Sequence, residues 1–138
     1  MAGDMTLEEL VDTFSFFDDW EDKYRFIIDL GKGLESMPDS DKVEANLIRG
    51  CQSQVWLTHK AEAEHLTFAL DSDAHIVRGL SAVVLIAIRQ RPAAEIAALD
   101  IEAIFAELDL LAHLSVTRGN GLRAMVARIK AVANSQAS

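Results

Sequence analysis

Cysteine is nearly absent from this 138-residue chain: Cys51 is the only one. No disulfide can close within one copy, nothing points to an oxidising compartment, and a two-cysteine redox cycle is excluded inside a single chain. Metal signatures are missing as well. The four histidines, His59, His65, His75 and His113, form no HExxH, and no CxxC or paired-ligand spacing occurs. The N-terminus, Met1-Ala2-Gly3-Asp4-Met5, has neither a basic nor an apolar region of the signal-peptide kind. The most apolar run, Leu80 to Ile88, lies between Arg78 and Arg89 and falls short of the ~20 residues a bilayer demands. These absences lead us to expect a cytoplasmic protein with no metal and no membrane contact.

What is present suits one domain spanning residues 1–138. Half of the chain is hydrophobic and a quarter charged, with a net charge of −9. So acidic a chain lacks the clustered Lys and Arg that neutralise phosphates, so nucleic acid is not an expected partner. The charge is uneven. Residues 1–50 hold 13 acidic against 5 basic residues, while residues 118–138 carry Arg118, Arg123, Arg128 and Lys130 and no acid. Such asymmetry fits either oriented docking on another protein or an ordinary solvated face.

Thr6 followed by Glu9 is a capping box, and Leu7, Leu10, Val11 and Phe14 repeat at helical spacing behind it. A second helix is predicted from Asp18 or Asp19 to Gly31 or Gly33, with Trp20, Tyr24, Ile27 and Ile28 on one face. Turn chemistry makes Ser36 to Asp41 a loop. Gln54–Thr58 and Leu66–Leu70 are short, β-branched and aromatic segments around the polar stretch Lys60–Glu64, which predicts a β-hairpin. Asn46-Leu47-Ile48 can add a third, edge strand. Ser72 or Asp73 should cap a long core helix reaching about Gln90. Pro92 and Asp100 suit the starts of two shorter helices, and a last helix is expected after a turn at Arg118-Gly119-Asn120-Gly121. The expected fold is α+β: a small antiparallel sheet of about three strands packed against several helices.

Cys51 lies in the connection Arg49-Gly50-Cys51-Gln52, flanked by polar residues rather than by an apolar stripe. A lone cysteine serves either as a small buried hydrophobe or as a reactive thiol. The polar loop context and neighbouring Arg49, which can stabilise a thiolate, favour the reactive reading. A hydrolase would need a histidine base in reach, and the four histidines read as strand, helix or solvated residues. A thiol without a resolving partner can hold a persulfide, provided other proteins supply donor and acceptor thiols. The Arg118–Gly121 stretch matches neither a P-loop nor a dinucleotide fingerprint and reads as a capping turn. The pairs Glu62/Glu64 and Asp71/Asp73 read as turn and cap residues. Phe14, Phe16, Phe17, Trp20 and Trp56 read as core, without the interleaved basic residues of a single-strand platform.

Four blocks carry a resemblance. They are Gly50-Cys51-Gln52-Ser53-Gln54-Val55-Trp56; Trp20-Glu21-Asp22-Lys23-Tyr24 with Ile27, Ile28 and Gly31; Asp71-Ser72-Asp73-Ala74-His75-Ile76-Val77-Arg78-Gly79-Leu80; and Arg118 through Met125. In order and distance they resemble the SufE family of sulfur acceptor proteins, along nearly the whole chain. The resemblance implies an α+β fold similar to that of the IscU-type scaffolds. It implies a carrier with no cofactor of its own, rather than an enzyme. Its partner would be a pyridoxal-phosphate cysteine desulfurase of the SufS or CsdA kind. Cys51 would take the terminal sulfur of the desulfurase persulfide, raise its turnover and pass the sulfur to an iron–sulfur scaffold complex. Asp73 and Arg118 match positions that would face the partner. The motifs leave open a parallel pathway such as tRNA modification, and leave monomer and homodimer both open. An iron–sulfur scaffold is the competing class, and a single cysteine argues against it.

Overall fold

The computed structural model describes residues 5–34, 36–48, 54–62, 65–89 and 91–137. The chain runs α1 (Leu7–Ser15), α2 (Trp20–Lys32), β1 (Val55–Glu62), β2 (His65–Ser72), α3 (His75–Ile88), α4 (Ala93–Ala98), α5 (Ile101–Glu107) and α6 (Val116–Ala137). Helix and sheet are segregated, so the α+β class holds. One correction concerns the sheet: it has two strands among the described residues, not about three. The expected edge strand reduces to one antiparallel bridge, Leu47 with Trp56. Its residues are spent locally, because Glu44–Asn46 form a 3-10 turn in which the Asn46 and Leu47 amides donate to Val43 and Glu44. The two true strands are longer than expected. The exposed Lys60 and Ala61 continue the ladder, which runs to Glu62 opposite His65, since a strand tolerates polar residues where it meets solvent.

The helix starts follow from side-chain caps. Thr6 and Glu9 close the capping box reciprocally, Asp19 accepts from the Asp22 N–H, and Asp100 accepts from the Ala103 N–H. Pro92 sits one position before α4, as its N-cap. Two starts differ from expectation. α3 begins after Ala74 with no side-chain cap, because Ser72 and Asp73 bind elsewhere. α6 begins at Val116 and runs straight through Arg118-Gly119-Asn120-Gly121, which is therefore helix and not a turn. Ser115 is the residue that starts it: its hydroxyl accepts from the Arg118 N–H at 3.2 Å and its carbonyl from the Gly119 N–H at 2.9 Å.

α3 is the central element. Ile76, Leu80, Val83, Val84, Ile86, Ala87 and Ile88 are all buried, so it is apolar around most of its circumference. β2 packs against it through the alternating inward residues Leu66, Phe68 and Leu70. α2 crosses it with almost no gap. A Cβ on Gly79 would lie 2.2 Å from the Ile27 carbonyl oxygen, and one on Gly31 would lie 2.6 Å from the Gly79 nitrogen. Only a pair of glycines permits this approach, and it carries the C-terminal end of α2 to the first turns of α3. Phe105, Leu108 and Leu110 of the α5 region and Leu122, Met125 and Ile129 of α6 complete the core. Among the described residues, no helix is long and apolar enough to cross a membrane.

Candidate functional site

Ile48 and Gln54 are the described residues on either side of the segment that contains Cys51. The expectations for Cys51 and its neighbours Arg49 and Gly50 lie outside the described residues. Both approaches to the segment are held tightly. On one side the Ile48 N–H donates to the Val55 carbonyl at 2.8 Å, with Ile48 itself buried. On the other, both backbone polar groups of Gln54 are taken by the end of β2 and the turn after it. The Gln54 N–H donates to Asp73 Oδ1 at 3.1 Å, and its carbonyl accepts from the Ser72 hydroxyl at 2.7 Å and the Asp73 N–H at 3.3 Å. Ser72 Oγ also accepts from the Ala74 N–H at 3.2 Å. This explains why neither Ser72 nor Asp73 caps α3 in the usual way.

Directly behind this clamp sits Asp71, which is completely buried. The expected turn residue is instead the next-to-last residue of β2. Its Oδ2 accepts from the Met37 N–H at 2.9 Å and its Oδ1 from the Ser72 N–H at 2.8 Å. Arg78 pairs with Oδ1, and Lys42 Nζ lies 3.6 Å from Oδ2. Burial pushes the carboxyl pKa up, but the Met37 and Ser72 amides and the Arg78 and Lys42 charges outweigh it and hold Asp71 below the usual aspartate range. Arg78 is shared: its second branch donates to the Leu34 carbonyl at 2.8 Å and the Gly31 carbonyl at 3.3 Å. Lys42 is shared too, with its ammonium 5.6 Å from the Trp56 ring centre, and Trp56 lies opposite Asp71 in the sheet. One carboxylate thereby joins β2, the start of α3, the end of α2 and the loop of residues 36–42.

The predicted partner-facing residues are placed differently from one another. Asp73 is exposed and spends one carboxylate oxygen on Gln54. Arg118 is half-buried in the first turn of α6. Among the described residues, no hydrogen bond or ion pair joins the two. His75 and His59 are exposed, while His113 stacks on Trp20 with ring centres 4.6 Å apart and meets Asp109 at 3.1 Å. No group of three or more His, Cys, Asp or Glu side chains converges as a metal site among the described residues. Sequence reasoning gives Lys42 no role, takes Ser72 only as a helix cap, and includes Arg78 only within the Asp71–Leu80 block. The available signal was the Asp71-to-Arg78 spacing across a strand end and a helix start.

Fold and site together define an α+β protein whose one cysteine lies between Ile48 and Gln54, two residues held by the hairpin and the turn that follows it. A family model described as SufE, an Fe–S metabolism associated domain, matches residues 8–133, and the chain belongs to the SufE family. An uncharacterised SufE-like protein of Rhizobium meliloti is 48% identical over 132 residues, covering 93% of this chain and 94% of that one. The sulfur acceptor protein CsdE of Escherichia coli is 46% identical over 122 residues, covering 88% of this chain and 83% of its own. The solution structure of a hypothetical protein from Thermus thermophilus aligns with a TM-score of 0.77 at 14% identity, over 96% of this chain and 98% of that one. That last likeness speaks for the fold alone.

Proposed function

We propose that the protein is a sulfur acceptor in which Cys51 takes sulfur from a cysteine desulfurase and relays it toward iron–sulfur cluster assembly. The Cys51 thiolate attacks the outer sulfur of the desulfurase persulfide. A new S–S bond forms on Cys51, the old one breaks, and the desulfurase cysteine leaves as a thiolate with the bonding pair. An acceptor thiolate on a downstream protein then repeats the exchange and returns Cys51 to its starting state. No external oxidant is consumed, because the transferred sulfur keeps its oxidation level throughout. Membership of the SufE family carries this reading, and the lone cysteine between two anchored ends supports it. Lacking a second cysteine, the chain depends on other proteins for both thiols. Asp73 and Arg118 are proposed to face the desulfurase.

The test is direct. The protein is incubated with a cysteine desulfurase and free cysteine, then weighed intact without reductant. Wild type should gain one sulfur atom that reductant removes, and Cys51→Ser should gain none. A wild type that gains no sulfur overturns the proposal, and an iron-bearing coloured product would favour a scaffold instead.

A further inference from the structure

Arg78 and Asp71 lie next to the anchored segment without belonging to it. The two residues after Asp71 are the ones that hold Gln54, and the Asp71 carboxylate fixes the first of them through the Ser72 N–H. The far side of the same carboxylate is held by Arg78, whose other branch reaches the end of α2 at Leu34. That reach exists because Gly31 and Gly79 let α2 and α3 touch backbone to backbone. Lys42 closes the arrangement from the loop side, lying between Asp71 and Trp56, two residues along from Gln54. A planar guanidinium holds the carboxylate on one nitrogen and the carbonyls on another at fixed geometry, a span that the single nitrogen of an ammonium does not reproduce.

We infer that Arg78 is a positioning residue for sulfur acceptance: through Asp71 and Ser72 it fixes the anchorage of the segment carrying Cys51. The inference rests on Cys51 being the acceptor. Its role is to hold the anchor at Gln54 in place for the encounter with the desulfurase, so its loss weakens productive encounter and leaves the sulfur exchange itself intact.

The rate of sulfur gain on Cys51 is measured against desulfurase concentration for wild type, Arg78→Met, Arg78→Lys and the distant core variant Ile96→Val. If the competent arrangement falls to a tenth of its population, the half-saturating concentration for Arg78→Met rises about tenfold while the plateau stays within about twofold. Arg78→Lys should fall between, keeping the Asp71 pair and losing the Leu34 carbonyl. Amide exchange at Gln54 and Met37 should quicken in Arg78→Met and not in Ile96→Val. Should Arg78→Met fail to fold, the more exposed Lys42→Met carries the test, with a rise of about threefold by the same population argument. An unmoved half-saturation in a folded variant overturns the inference, as does a loss confined to the plateau or an equal shift in Ile96→Val. Wild type that takes no sulfur overturns the acceptor reading and this inference together. Wild type that takes sulfur beside an unshifted Arg78→Met overturns this inference alone.

Discussion

The two ends of α3 are built on different principles. At its start, Asp71, Ser72, Asp73 and Arg78 make specific bonds to Gln54, Met37 and Leu34, each with a defined donor and acceptor. From Ala82 onward, Val83, Val84, Ile86, Ala87 and Ile88 are sealed in a core shared with Phe105 and Leu110. Apolar burial is non-directional and contributes roughly 25 cal/mol per Å² removed from water, so the second end supplies stability. Hydrogen bonds add only about 1 kcal/mol net apiece but specify position, which is what the segment beside them requires. Stability and placement are therefore separable along one helix.

Breaking the apolar end should have the larger energetic effect. Phe105→Ala removes a fully buried ring and should cost about 3–5 kcal/mol in denaturant unfolding while leaving the half-saturating desulfurase concentration unchanged. A shift in that concentration would erase the distinction between the ends. Asp71→Asn should cost about 3 kcal/mol, since Arg78 loses its partner but keeps 18% side-chain exposure, and here the half-saturation should move. The same carboxylate gives a pH signature. Its folded pKa is depressed, so its contribution is complete above the ordinary aspartate value of about 3.9 and is lost as pH falls below it. Wild type should lose stability in that acid range more steeply than Asp71→Asn in parallel thermal melts. Asp73→Ala removes one exposed hydrogen bond, so stability should fall by about 1 kcal/mol or less while Gln54 amide exchange quickens markedly. The smallest effect is expected at Asp109, whose φ of 56° is left-handed and whose neighbour Leu110 donates back to Phe105 in a Schellman ending of α5. Asp109→Gly should raise stability by about 0.5 kcal/mol at most, the relief of the left-handed conformation being offset by the lost His113 contact and by the greater freedom of glycine in the unfolded chain.

Local signals in the chain were legible where a residue acts on its immediate neighbours. Thr6, Asp19 and Asp100 cap the helices they were expected to cap. The hairpin follows from its β-branched and aromatic runs, and its inward alternation is observed. The cysteine motif pointed to the SufE family, which the match over residues 8–133 bears out. Signals failed where two readings compete locally and a distant segment decides. Ser72 and Asp73 are good caps in isolation, yet Gln54 takes them. Gly119 and Gly121 are turn-formers in isolation, yet Ser115 starts a helix that absorbs them.

The sequence by itself determined the α+β class, most helix starts and the singular position of Cys51, because caps, periodicity and cysteine number are properties of short stretches. Tertiary structure alone decided that Asp71 is buried, that Arg78 reaches across to Leu34, and that Lys42 lies by Trp56. The physical reason is the glycine-to-glycine crossing of α2 and α3. It brings together residues 31–34, 71 and 78, whose charges and amides have no reason to meet until the backbones touch.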